Sequence, residues 1–167
     1  MALQTVEGNR IKTDKFTFLI TTFLGSGTLP KMPGTYGSLA AALLAYPLAK
    51  ISFMGCFGLL AICVFFLGIP FAKKAMKDTN SEDPGWIVID EVSGQWMAFA
   101  FISPEIILQY PWLILIGFAL FRFFDILKPL GIKKLEALPG ALGVMADDLL
   151  GGIYAGLILL AGVYFIF

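Results

Sequence analysis

A chain of 167 residues that is 58% hydrophobic, has no histidine and sets 12 basic against 12 acidic residues does not have the composition of a water-soluble domain. With zero net charge it has no global field to attract nucleic acid, so no nucleic-acid partner is expected. The missing histidine excludes a Ser–His–Asp triad, a phosphohistidine intermediate and a zinc–histidine centre.

In chain order, residues 1–15 are polar and carry Arg10, Lys12 and Lys15, as expected of a cytoplasmic N-terminus. Residues 16–24 are apolar but too few to cross a bilayer, which predicts a short interfacial or re-entrant segment. That run also has the layout of a signal peptide's apolar core. The following stretch 25–34, punctuated by glycine and proline, reads instead as a site loop. Thr35 or Ser38 is placed to cap a helix running to about residue 49. Further helices are expected over 51–76, 85–102, 105–128 and 147–167, the fourth ended by Pro129. The uncharged runs 51–72 and 149–167 are each long enough to span ~30 Å of hydrocarbon at ~1.5 Å per residue. Cys56 and Cys63 fall in one predicted helix, about 10 Å apart along its axis. That is too far for a disulfide, and both are expected as buried small hydrophobes. The expected fold is therefore all-α: a polytopic integral membrane bundle of about five main helices plus the N-terminal segment. It forms one membrane-embedded domain, 1–167, in contact with membrane lipids, and association with further copies is left open.

Charge placement orients the bundle. Nine of the twelve basic residues lie in three segments: Arg10, Lys12 and Lys15; Lys73, Lys74 and Lys77; Lys128, Lys133 and Lys134. The positive-inside rule puts all three in the cytoplasm, and two crossings between successive segments satisfy this. The helix over 35–49 is the weak point, since it is only ~22 Å long. With that parity, Asp83 begins the third helix on the cytoplasmic side and Asp90 and Glu91 lie about two turns in. Asp125 and Lys128 close the fourth helix there, and Asp147 and Asp148 open the fifth. Ionised groups at membrane depth are costly and usually functional. Several converging carboxylates suggest a divalent cation, and a cation beside basic residues suggests a phosphate.

Each motif has a bland alternative. Asp90 and Glu91 stand 100° apart on a helix, so only one is expected to point squarely at a shared ion, unless the pair serves an intramembrane salt bridge with Arg122. Gly94, near the Asp90 face, leaves room for a headgroup or another helix. Arg122, Asp125 and Lys128 recur at spacing three along one stripe. They suit phosphate and metal binding, or a local ion pair with a snorkelling lysine. Asp147 and Asp148 suit a helix N-terminus through the macrodipole alone, yet two in a row exceed what capping needs, and hard oxygen ligands suit Mg²⁺. Gly152 and Gly156 read as helix packing. In the loop 27–38, Lys31, Thr35, Ser38 and a following helix start could hold an anion, although no Walker A lysine is present. Neither cysteine sits in a Cys-x5-Arg loop. Metal-assisted attack by water or a carboxylate is what remains for phosphate chemistry.

Four ordered blocks, GSGTLPKMPGTYGSLAA, EDPGWIVIDEVSGQ, FRFFDILKP and PGALGVMADDLLGGIYA, give a chain that resembles the phosphatidylglycerophosphatase A family from about residue 25 to 155. The resemblance implies Mg²⁺-dependent hydrolysis of the terminal phosphomonoester of phosphatidylglycerophosphate, a step of phospholipid biosynthesis, at the bacterial inner membrane. It implies Asp83, Asp90, Glu91, Asp125 and Asp148 as catalytic residues, with Asp90, Glu91, Asp125, Asp147 and Asp148 around the metal. Arg122 and Lys128 become phosphate partners. Asp83 is either a further ligand or a base. Pro139–Ala141 reads PGA where PGG is commoner, and Gly151 stands where alanine is usual. The rival reading, a small ion- or proton-coupled transporter, would more often place its acids near the midplane and show repeat symmetry. A CDP-alcohol phosphotransferase would need a denser aspartate motif on one helix.

Overall fold

The computed structural model describes residues 2–6, 9–51 and 53–166. The chain opens with a two-stranded antiparallel hairpin, β1 (Ala2–Val6) and β2 (Asn9–Thr13), with Ala2 opposite Thr13 and Val6 opposite Asn9. The polar N-terminus thus carries ordered backbone that its composition did not suggest. Eight α-helices follow among the described residues: α1 (Lys15–Thr21), α2 (Pro33–Ala49), α3 (Cys56–Thr79), α4 (Ile89–Met97), α5 (Pro104–Gln109), α6 (Leu113–Leu127), α7 (Ile132–Leu135) and α8 (Ala141–Ile166).

Local chemistry accounts for the helix ends. Asp14 caps α1 by accepting from the Phe16 and Thr17 amides at 3.1 and 3.0 Å. A hydrogen bond from Lys74, joined by those from Thr17, holds its carboxyl well below the usual range. Pro33 opens α2 at a position where no amide donor is missed, so the helix starts ahead of the expected Thr35 or Ser38 cap. Asn80 ends α3 and Lys128 ends α6, both in the left-handed region.

The boundaries nearest the acids differ from the sequence expectation. The third helix begins at Ile89, not near Asp83, because Pro84 disfavours helical geometry in the residue before it and Gly85 follows. Asp90 and Glu91 consequently lie in a first turn instead of two turns deep. The expected fourth helix breaks into α5 and α6 around Pro111, which lacks the amide that would continue the ladder. The last helix begins at Ala141, ahead of its acids.

α4 is the centre of the bundle. All of it except the partly buried Glu91 is buried, as befits a helix surrounded by others. Ser93 Oγ donates to the Ala61 carbonyl of α3 at 2.9 Å, and Trp96 Nε1 donates to the Ala41 carbonyl of α2 at 3.0 Å. Against α8 the contact is backbone to backbone. A side chain at Gly152 would collide with the Gly94 carbonyl, and one at Gly94 would meet the Asp148 carbonyl and Phe121. The space beside Gly94 therefore belongs to a helix, not to a headgroup.

The outer faces are apolar: Leu43, Phe66, Leu67, Leu115, Ile158 and Phe165 are all exposed. α3 and α8 are each long and apolar enough to cross a bilayer. The protein is a helical membrane protein. Cys56 is buried as expected, whereas Cys63 lies exposed on the outer surface of α3.

Candidate active site

Distant helix ends meet around one cavity of about 560 Å³. The α3–α4 connection contributes Glu82 and Asp83, the start of α4 contributes Asp90 and Glu91, and the end of α6 contributes Asp125 and Lys128. Glu136, just after α7, and Asp147 and Asp148, in α8, close the ring. Eight carboxylates therefore share a wall with one ammonium.

Three of the acids stand apart from the rest. Asp90, Glu91 and Asp148 each bring a carboxylate oxygen to within 4.8 Å of the others. Asp90 and Asp148 are buried, and Asp90 Oδ1 and Glu91 Oε2 have no hydrogen-bond partner. Both acids of α4 thus reach the common point, where a helical wheel allowed only one. Their place in the first turn explains their tolerance there, since the positive end of the helix dipole faces them. Buried unpaired oxygens are expensive unless a cation joins them. Hard oxygen donors at this separation fit a divalent cation of the Mg²⁺ or Ca²⁺ kind.

Asp125, Glu136 and Asp147 are each matched to a basic group. Arg122 Nη1 meets Asp125 Oδ2 at 2.6 Å, both side chains being mostly buried. Lys128 Nζ lies 2.5 Å from Asp147 Oδ2 and 2.6 Å from Glu136 Oε1. Burial works against the Lys128 charge, but these hydrogen bonds outweigh it and raise the ammonium above its ordinary pKa. Asp147 is fixed a second time, its Oδ1 accepting from the Asp148 amide at 2.9 Å.

The start of α2 reaches the edge of this group. A side chain at Gly34 would overlap Glu91 Oε1 and come within 3.4 Å of Arg122 Nη1, so a larger residue there would displace the Glu91 carboxylate. Ser38 Oγ donates to the Gly34 carbonyl at 2.6 Å and accepts a long 3.5 Å contact from Arg122. Thr35 is partly buried in the first turn of α2. Lys31 is exposed on the preceding loop at φ 75° and does not line the cavity. The structure thus gathers Asp83, Asp90, Glu91, Asp125, Lys128, Asp147 and Asp148 at the cavity wall, with Arg122 and Ser38 packed behind it.

The sequence pattern of the phosphatidylglycerophosphatase A family matches residues 19–163. The chain belongs to that family. It is 39% identical over 144 residues to phosphatidylglycerophosphatase A of Haemophilus influenzae, an alignment covering 86% of each chain. To phosphatidylglycerophosphatase A of Escherichia coli it is 30% identical over 155 residues, covering 92% of this chain and 87% of the other. A Bacteroides thetaiotaomicron protein, provisionally named a phosphatidylinositol-3-phosphatase, is 38% identical over 141 residues, covering 82% of this chain and 87% of that one. No solved structure matches. The family match spans every acid of the cavity.

Two residues of the cavity wall and one buried amide escaped the sequence reading. Glu136 meets Lys128 only because a turn containing Pro129 and Gly131 folds the chain back, which no helical spacing reveals. Glu82 adjoins Asp83 in a quoted block and joins it on the wall. Gln95, one turn beyond Glu91, is fully buried with neither amide atom partnered.

Proposed function

We propose that the protein is one membrane-embedded domain that hydrolyses the terminal phosphomonoester of phosphatidylglycerophosphate, giving phosphatidylglycerol and inorganic phosphate, with Mg²⁺ as cofactor. The observation that carries this is the cluster of Asp90, Glu91 and Asp148 on a carboxylate-rich cavity wall, with Asp90 Oδ1 and Glu91 Oε2 buried and unpartnered. A phosphate dianion does not enter such a wall unaided. Cation binding by Asp90, Glu91 and Asp148, extended by Asp125 and Asp147, would lower that barrier. When bound, the ion supplies Lewis acidity toward the phosphate oxygens and acidifies water.

The chain's own residues do the rest. Arg122 and Lys128 neutralise charge on the equatorial phosphate oxygens, with Ser38, Thr35 and Lys31 at the periphery. Asp83, on the irregular α3–α4 connection, accepts the proton of the attacking water. The new P–O bond forms as the bond to the glycerol oxygen breaks, and that oxygen leaves with a proton from solvent. Single-turnover hydrolysis in ¹⁸O-water should put the label in phosphate. Both routes send that oxygen to phosphorus, so an acid quench separates them: a hydroxylamine-labile phosphoryl group trapped on an enzyme carboxylate would replace direct attack by a phospho-aspartyl route.

The cavity faces the cytoplasm of a bacterial inner membrane in this reading. Lys73, Lys74 and Lys77 in the last turns of α3 precede the connection that lines the cavity, and Lys133 and Lys134 in α7 precede Glu136 on its wall, which supports a cytoplasmic site. The test is phosphate release by the purified protein from phosphatidylglycerophosphate, with and without Mg²⁺, beside phosphatidylinositol 3-phosphate as the competing substrate. Release from phosphatidylglycerophosphate only when Mg²⁺ is added supports the proposal. Preference for the inositol lipid would reassign the headgroup, and no release from either would reject the reading.

A further inference from the structure

Lys128 is the ammonium on the cavity wall, and two carboxylates already hold it: Asp147 at 2.5 Å and Glu136 at 2.6 Å. The two are held very differently. The Asp147 side chain is 4% exposed and pinned by the Asp148 amide, whereas that of Glu136 is 44% exposed. The carbonyls of Leu135, Glu136 and Leu138 pack against Gly143 of α8, so the part of Glu136 with solvent to turn into is its side chain.

We infer that Glu136 is an internal competitor for the substrate's phosphate, occupying Lys128 in the resting protein and yielding it when a phosphomonoester arrives. With both carboxylates in place, the trio of side chains has a net charge of −1, which opposes an incoming dianion. Rotation of Glu136 into solvent leaves a neutral Lys128–Asp147 pair with ammonium protons facing the cavity. Glu136 thereby sets affinity for substrate and for product phosphate without touching the reacting atoms. It is a positioning residue that acts through Lys128. The inference rests on the phosphatase reading of the cavity.

The experiment uses the full chain in detergent micelles, comparing wild type with Glu136→Gln and Glu136→Asp. Inorganic phosphate is the probe, titrated calorimetrically with Mg²⁺ present, so that binding is measured apart from turnover. Glu136→Gln should bind phosphate about 3- to 10-fold more tightly, the range expected when one partly exposed competing charge is removed. KM for the lipid should fall in the same proportion, while Glu136→Asp, which keeps the charge, stays near wild type. Unchanged or weaker phosphate binding in Glu136→Gln would overturn the inference. So would a tenfold or greater loss of kcat at saturating lipid, which would place Glu136 in the chemistry itself. A wrong lipid assignment would abolish turnover in every variant yet leave the phosphate titration readable.

Discussion

The two sides of the cavity handle charge in opposite ways. At the start of α4, Asp90 and Glu91 meet Asp148 with buried oxygens left unpartnered. At the end of α6, Arg122 and Lys128 are each matched to acids within 2.6 Å. The first arrangement is unfavourable as it stands and becomes favourable when a cation is added. The second is stable alone, so in the proposed function its basic groups would reach phosphate only by exchanging partners. The side that would hold a cation is thus preorganised, and the side that would meet phosphate is held in reserve.

That contrast is broken most severely on the α4 side. Asp148→Asn and Glu91→Gln should each lower kcat by about 1,000-fold, with far-UV circular dichroism unchanged. Retained turnover would move the cation elsewhere. Chelation of divalent ions should silence the wild type to the same degree, and Mg²⁺ should restore it.

The α6 side should respond in binding more than in chemistry. Arg122→Ala should raise KM by about 10- to 100-fold, the size of a lost charged hydrogen bond. Arg122→Lys should recover little, because an ammonium lacks the planar fork. Equal losses in kcat and kcat/KM would instead assign the arginine to the transition state alone.

A smaller effect tests the packing that brings the two sides together. Gly152→Ala pushes a methyl into the Gly94 carbonyl, and should cost about 1–3 kcal/mol of stability by thermal unfolding. Turnover should fall with it, because α8 carries Asp148. The least effect belongs to the N-terminal edge. The Asp14 carboxyl is held below its ordinary value, so its contribution is complete above the unfolded carboxylate pKa of about 4 and fades as pH falls further. Asp14→Asn should slightly increase amide exchange in α1 at neutral pH, with the difference from wild type shrinking below pH 4.

Much of this was legible in the residues themselves. The long uncharged runs announced α3 and α8, and the three basic segments with even crossings between them anticipated that Asp83, Asp125 and Asp148 would share one end of the bundle. Local chemistry that overrides hydrophobic pattern was harder to see. Pro84 with Gly85 delayed α4, and Pro111 cut one expected helix into two. Glu136 was invisible because its partner lies eight positions away across a turn, a separation with no periodic signature.

Composition and charge order alone determined that this chain is a bilayer protein whose acids gather at one end, because burying a charge in hydrocarbon is too costly to happen at random. Tertiary structure decided which acids stay unpaired and which are neutralised. That choice depends on separations of a few ångströms between helix ends, set where Gly94 and Gly152 let α4 and α8 touch and Gly34 lets α2 approach Glu91. Coulomb energy at such distances changes steeply with position, and only the packed chain supplies the positions.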